Sequence, residues 1–160
     1  MKKTNAMRLL DKHKVTYDVR AFEVSEAHMD GEMVSSKIGV PPHQVFKTLV
    51  LENEKHDHFV CVIPVNAQLD LKYAAQQFRQ KKLQLMPLDD LKRVTGYIRG
   101  GCSPLGMKRL FPTIIDLTAF SQDIIYVSGG ATWRPNRHCS KDARNHCKCT
   151  MCTHFYHIIE

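Results

Sequence analysis

The sequence lacks any apolar run of the roughly 18 residues that a membrane-spanning helix requires. Its basic beginning, residues 1–7, leads into an apolar stretch that is too short for the core of an export signal. We therefore expect a cytoplasmic protein with no membrane contact, whose six cysteines stay reduced.

The signatures of several enzyme classes are also missing. There is no P-loop, no dinucleotide-binding glycine fingerprint, no Ser/His/Asp pattern and no paired-carboxylate motif. These absences predict a protein that uses neither a nucleotide cofactor nor a catalytic metal.

Aliphatic residues disappear near the end of the chain. Residues 131–157 contain no Leu, Val or Ile, and no glycine follows Gly130. Such a segment can add little to an aliphatic core, so we divide the chain into a body, residues 1–130, and a tail, residues 131–160. The tail is expected to be largely disordered. Its Cys147, Cys149, Cys152 and His154 could hold zinc, but their spacing is not a paired CxxC array.

What is present fits one globular domain. The chain has 160 residues, of which 43% are hydrophobic, and a net charge of +7. This basic excess permits a polyanionic partner such as nucleic acid but does not require one.

Hydrophobic periodicity predicts helices and strands that do not strictly alternate, which is typical of the α+β class. Helices are expected around residues 6–10, from Gly31 to Ile38, from 71 to 78 after an Asp70 cap, and near 88–94. Strands are expected at 15–23, in a hairpin of 45–51 and 58–64, and at 83–86, 96–99, 113–115 and 124–127.

Three features of the body could carry chemistry. Lys47 lies in an apolar strand, and the pattern alone leaves open whether it faces a pocket or solvent. Residues 100–106, with three glycines and a proline, form a loop that could direct several N–H groups at one oxygen, or could be a plain turn. Cys102 in this loop could be a nucleophile, but no residue pattern supplies it with a base. Ser128-Gly129-Gly130, a predicted turn after a strand, could be another edge of the pocket or simply a hairpin turn.

These residues resemble the YbaK family of free-standing editing proteins, which are related to the insertion domain of bacterial prolyl-tRNA synthetase. The resemblance covers roughly residues 5–130. It rests on the runs QVFKTL at 44–49, QLDLK at 68–72, TGYIRGGCSPLG at 95–106, PTIID at 112–116 and IYVSGG at 125–130.

The resemblance implies a mixed, β-barrel-like sheet surrounded by helices, with a pocket for the aminoacyl end of tRNA. It implies deacylation in trans of Cys-tRNA(Pro) and Cys-tRNA(Cys), with prolyl-tRNA synthetase as a possible supplier of tRNA selectivity. Catalytic groups are implied at Lys47, Gly101 and Ser103. The implied substrate-binding residues are Phe22, Phe46, Thr48, Gly100, Cys102, Pro104, Gly106, Ser128, Gly129 and Gly130. Relatives often carry Tyr at the position of Phe22, which puts a hydroxyl role there in doubt.

The absence of an activated nucleophile suggests that the substrate supplies its own. A cysteinyl thiol can attack its own ester carbonyl to give a thiolactone, while N–H groups of residues 100–106 stabilise the oxyanion and Lys47 anchors the ribose or phosphate. The alternative is a non-catalytic regulator or RNA-binding module on the same fold.

The resemblance ends after Gly130, where the family normally continues with a closing strand and helix. The abrupt change in composition resembles a reading-frame shift, a hypothesis that the coding DNA in its other frames would test. An altered ending of this kind is expected to leave activity reduced or absent.

Overall fold

The computed structural model describes residues 3–24, 31–98, 100–133 and 146–153, with only the backbone described at 21–24, 31–32, 131–133 and 146–153. Four α-helices are present in these ranges: α1 Asn5–Lys12, α2 Gly31–Ile38, α3 Leu71–Gln77 and α4 Leu91–Thr95. The strands are β1 Asp18–Val24, β2 Phe46–Glu52, β3 His58–Pro64, β4 Gln84–Leu85, β5 Thr113–Ile115, β6 Ile125–Trp133 and β7 His146–Thr153.

The strands form two sheets that meet at one point. The first sheet has the order β4-β2-β3-β5, in which β2 and β3 are an antiparallel hairpin and β5 runs parallel to β3. The second has the order β1-β7-β6, and a parallel bridge between Val45 and Tyr126 joins it to β2. The α+β prediction is confirmed, but the sheet is not closed, so it is barrel-like only in a loose sense.

Local sequence explains where the helices begin and end. The Thr4 hydroxyl accepts a hydrogen bond from the Met7 N–H at 3.2 Å, and the Asp70 carboxylate accepts one from the Tyr73 N–H at 3.1 Å. Both are N-caps of the expected type. Gly96 ends α4 with φ +86°, a conformation that glycine adopts without steric cost.

No helix in the described part of the chain has the length and apolar character needed to cross a lipid bilayer.

Strand β2 separates the hydrophobic core into two sides, because successive side chains of a strand point to opposite faces. Phe46 and Val50 pack in the main core, which also contains residues of α1, α4 and β6. On the other face, Leu51 packs beneath α3, and Val45 packs with residues at the end of α2 and with Tyr126.

The described part of the tail, residues 131–133 and 146–153, differs from the expectation. The structure continues β6 to Trp133 and places β7 between β1 and β6, although composition predicted disorder after Gly130. A strand is held by main-chain hydrogen bonds, so it can form without aliphatic side chains when two neighbours offer unpaired edges. Residues 134–145 and 154–160 lie outside the described residues.

Two shorter expectations were also wrong. Residues 96–98 form no strand, because the left-handed Gly96 turns the chain away at the end of α4. Ser128-Gly129-Gly130 is not a turn but lies within β6, at an irregularity in the pairing between Ser128 and Thr132. Glycine and a bulge are a common combination inside strands.

Candidate functional site

Lys47 and Ser128 lie on one face of neighbouring strands. Val45 and Tyr126 are bridged in parallel, and two residues further along each strand are Lys47 and Ser128. Because strand side chains alternate, both follow the face on which Val45 and Tyr126 pack together. Lys47 is half-buried there. No described carboxylate lies within 4.0 Å of its ammonium group, so the charge is not neutralised by a described ion pair.

Arg20 adds a second cation to this face, which the sequence pattern did not single out. Its guanidinium lies 5.2 Å from the centroid of the Tyr126 ring and donates a hydrogen bond of 2.8 Å to the Ile38 carbonyl. It therefore ties β1 to α2 and β6. In the strand register, Arg20 pairs with Thr150, which pairs with Ser128.

Tyr97 anchors the glycine loop to β6, and sequence reasoning missed this role. Its buried hydroxyl donates a hydrogen bond of 2.5 Å to the Leu105 carbonyl, and burial raises the pKa of the phenol far above its usual value. Gly130 has φ +83°, and a Cβ there would lie 2.6 Å from the Tyr97 ring. Gly130 therefore permits the close contact between the ring and the strand.

Gly106 closes the other end of the loop. It has φ +71°, and a Cβ would lie 2.7 Å from the backbone carbon of Asn5 at the start of α1. The loop is thus held between β6 and the first helix. This rigidity accounts for the glycines at 106 and 130 without assigning them a contact to substrate.

Two amide groups of the loop are already occupied. The Gly101 N–H donates to the Ile98 carbonyl at 2.9 Å, and the Leu105 N–H donates to the Ser103 Oγ at 3.2 Å. Ser103 is fully buried, so its hydroxyl shapes the turn in this structure. Gly101 and Ser103, which the resemblance implied to be catalytic, are therefore engaged in holding the loop together.

Cys102 has the environment of an unreactive thiol. Burial raises its pKa to about 11, and a hydrogen bond with Thr95 offsets this only in part. The thiol is therefore protonated near neutral pH, whereas the nucleophile in thiol chemistry is the thiolate.

Thr48 lies on the opposite face of β2 from Lys47, in a cleft of about 290 Å³. The cleft is lined by Thr48, Leu49, Val50, Leu85, Met86, Leu88, Leu91, Gly100 and Cys102. The Thr48 Oγ1 atom is buried, and it is the only such side-chain oxygen or nitrogen in the described part without a hydrogen-bond partner. The structure thus divides the expected site into a Lys47–Ser128 face and a Thr48–Gly100–Cys102 cleft.

The remaining expected residues are placed as follows. Phe46 is 3% exposed and belongs to the main core. Pro104 is half-buried in the loop, and Gly129 is buried in β6. Phe22 lies on β1 opposite Lys148, and its side chain is outside the described residues.

The zinc alternative for the tail falls on residues whose side chains are outside the described part. Cys147, Cys149 and Cys152 belong to β7, and His154 follows it. In the ranges whose side chains are described, no group of three His, Cys, Asp or Glu residues could hold a metal ion.

Comparison with known proteins identifies the family of this chain. Residues 26–134 match the aminoacyl-tRNA editing domain family, a range that contains Lys47, the glycine loop and Ser128–Gly130. The chain belongs to this family.

Individual relatives agree with this assignment. Over 128 residues the chain is 46% identical to an Enterococcus faecalis protein named "Putative Cys-tRNA(Pro)/Cys-tRNA(Cys) deacylase EbsC", covering 80% of this chain and 78% of that protein. The fold is similar to a crystal structure described as "a putative trans-editing enzyme for prolyl tRNA synthetase", with TM-score 0.72 and 16% identity, over 99% of this chain and 92% of the other. The fold is also similar to the crystal structure of hypothetical protein APE2540, with TM-score 0.69 and 16% identity, over 91% of this chain and 87% of the other.

Proposed function

We propose that this chain deacylates mischarged aminoacyl-tRNA in trans, acting on Cys-tRNA(Pro) and Cys-tRNA(Cys). The observation that carries the proposal is the 46% identity to a relative with that named activity, together with membership of the editing family. Lys47, a half-buried residue whose ammonium group has no described carboxylate partner, supports it. A cation of this kind attracts the phosphate or the ribose end of a charged tRNA.

The substrate supplies the nucleophile in this proposal. Cys102 is held as a thiol, and Ser103 is buried with its oxygen occupied by the Leu105 N–H, so neither is an activated nucleophile in this structure. The thiol of a cysteinyl ester can instead attack its own carbonyl carbon. A new C–S bond forms, the tRNA ribose oxygen leaves and takes up a proton, and a cyclic thiolactone is released.

Holding the ester in the reactive geometry is then the main task of the protein. Intramolecular attack can contribute roughly 7–11 kcal/mol when the reacting atoms are well positioned. Lys47 would hold the ribose or phosphate on the Val45 face, with Ser128 beside it. The Gly101 N–H already donates a hydrogen bond to the Ile98 carbonyl, so it does not stabilise the oxyanion in this proposal. We assign that task to the other N–H groups of the loop, which also shapes the pocket.

A direct test is to incubate the protein with Cys-tRNA(Pro), Ala-tRNA(Pro) and Pro-tRNA(Pro) and to follow ester loss and thiolactone release. We expect loss of the cysteinyl ester alone, and we expect methylation of its thiol to stop the reaction. Equal loss of alanyl and cysteinyl esters would contradict the thiol mechanism. Tight tRNA binding without any ester loss would favour the non-catalytic module instead.

A further inference from the structure

A second basic surface lies away from Lys47, at the end of α3. It is a groove of about 610 Å³ whose rim carries Lys72, Lys81 and Lys82, with Glu54 as its only lining carboxylate. Leu71, Ala75 and Leu83 line the apolar part of the groove, and Ala75 and Leu83 are almost completely buried. We call this surface the lysine groove.

The lysine groove is built on a rigid support. Beneath it, Leu83 packs in the α3 core with Phe59 and Cys61 of β3. The hairpin turn between β2 and β3 is fastened to the same region, because the Asn53 side-chain amide donates a hydrogen bond of 3.1 Å to the Gln80 side-chain oxygen. The three lysines therefore project from a surface whose shape is fixed before any partner binds.

The position of the groove relative to Lys47 suggests its partner. Lys47 and Leu51 lie on the same face of β2, and Leu51 is the residue that packs beneath α3. The four steps along the strand from Lys47 to Leu51 correspond to roughly 14 Å at the rise of an antiparallel strand. The four unpaired nucleotides at the 3′ end of a tRNA, stacked at about 3.4 Å each, span about 14 Å.

We propose that the lysine groove binds the phosphate backbone of tRNA where the acceptor helix begins, while the aminoacyl end lies at Lys47. This rests on the proposed function, because it takes the position of the aminoacyl end from that proposal. The three ammonium groups neutralise phosphates, and their alkyl stems cover the apolar floor. Such contacts carry no sequence information, so the groove contributes affinity and orientation rather than a choice among tRNAs.

The test compares Lys81→Ala/Lys82→Ala with a matched pair, Lys12→Ala/Lys92→Ala. The matched pair removes the same charge from exposed positions on α1 and α4, which pack against the opposite core. Binding of uncharged tRNA and of a short CCA oligonucleotide is measured across salt concentrations. We expect the groove variant to weaken tRNA binding on the order of tenfold and to reduce the salt slope by about 1–2, as two lost phosphate contacts require. The matched pair should bind tRNA like the unaltered protein, and CCA binding should be unchanged in both variants.

Two controls separate this proposal from folding defects and from the proposed function. Lys81→Arg/Lys82→Arg keeps the charge and should restore tRNA binding. Equal effects of the groove variant and the matched pair would overturn the proposal, as would equal weakening of tRNA and CCA binding. Unchanged tRNA binding by the groove variant would overturn it too. This holds even if the groove variant no longer binds an acidic protein, because the groove would then serve that partner instead of tRNA. Because binding is read with uncharged tRNA, a failure of ester hydrolysis refutes the deacylase proposal and leaves this test intact.

Discussion

At the scale of single residues, Lys47 carries the clearest prediction. Lys47→Ala should lower the deacylation rate on the order of 10²-fold, because an ester that is no longer anchored loses the reactive geometry. The free energy of unfolding should change by less than about 0.5 kcal/mol, because the side chain is half-exposed and outside the hydrophobic clusters. Rates on Cys-tRNA(Pro) and urea unfolding curves provide the measurements, with Lys12→Ala as control. A folded Lys47→Ala variant with normal activity would remove Lys47 from the mechanism.

Cys102 gives the opposite prediction at the same scale. Its thiol is protonated near neutral pH because burial raises its pKa to about 11. Cys102→Ser keeps the size and the hydrogen-bonding capacity of the side chain, so deacylation should stay within about tenfold of the unaltered rate. A loss of a thousandfold or more, or trapping of an acyl group on Cys102 by mass spectrometry, would indicate covalent catalysis instead.

Glycine substitutions separate backbone strain from steric contact. Gly130→Ala places a methyl group 2.6 Å from the Tyr97 ring, whereas a methyl group at Gly39, which has φ +71°, would meet no atom within 4 Å. Both changes should cost about 1–2 kcal/mol for the left-handed backbone, and Gly130→Ala should cost about 1–3 kcal/mol more through overpacking. Urea unfolding of the two variants gives the comparison, and equal losses would mean that the Tyr97 contact relaxes freely.

At the scale of elements, β7 holds the second sheet together. It pairs with β1 over seven residues and with β6 over six, so it is the central strand of its sheet. A chain ending at Trp133 would leave β1 without the strand neighbour it has in this sheet. We expect its residues 18–24 to lose amide-exchange protection and the protein to unfold at lower urea concentration, since each hydrogen bond contributes about 0.5–1.5 kcal/mol. Unchanged protection and activity would show the tail to be dispensable.

Sequence patterns predicted an element well where its signals are local. Helix α2 matches its predicted bounds because Gly39 and the following prolines stop it, and the hairpin of β2 and β3 follows two β-rich runs joined by a polar turn. Strand β7 could not be predicted in this way, because its partners are more than ten residues away in sequence and its composition lacks aliphatic residues. Pairing supplied by distant strands is invisible to a local pattern.

The same rule holds for the site: residues with a local signal were found, and residues that act through distant contacts were missed. Lys47 stood out because a charge in an apolar strand is unusual, but only its alignment with Ser128 through the Val45–Tyr126 bridge shows a shared face. Tyr97 and Arg20 were missed because their roles depend on contacts to Leu105, Ile38 and Tyr126 rather than on spacing. A hydroxyl that anchors a loop has no signature of its own in a sequence.

At the scale of the whole molecule, stability should depend on the protonation of His58. Its side chain is only 13% exposed, lies edge-on to Phe111 and places Nε2 3.7 Å from the Glu52 carboxylate. Burial lowers its pKa, while Glu52 and Asp57 act in the opposite direction and Arg93 and His56 add to the lowering. The net shift is downward, so the folded state prefers the neutral ring more strongly than the unfolded chain does.

The sign of the pH effect follows from this difference. The pKa of a histidine in the unfolded chain is about 6.5. At pH values above it, the ring of His58 is neutral in both the folded and the unfolded state, and the stability that it contributes is fully present. As pH falls from there toward the folded pKa, the unfolded chain binds a proton that the folded state refuses, and the free energy of unfolding decreases. The slope from one proton is at most about 1.4 kcal/mol per pH unit. Urea unfolding between pH 7.5 and pH 5 should show this decrease in the unaltered protein and in the exposed control His43→Gln, and a shallower one in His58→Gln. The same slope in all three would mean that other groups govern the acid sensitivity of the fold.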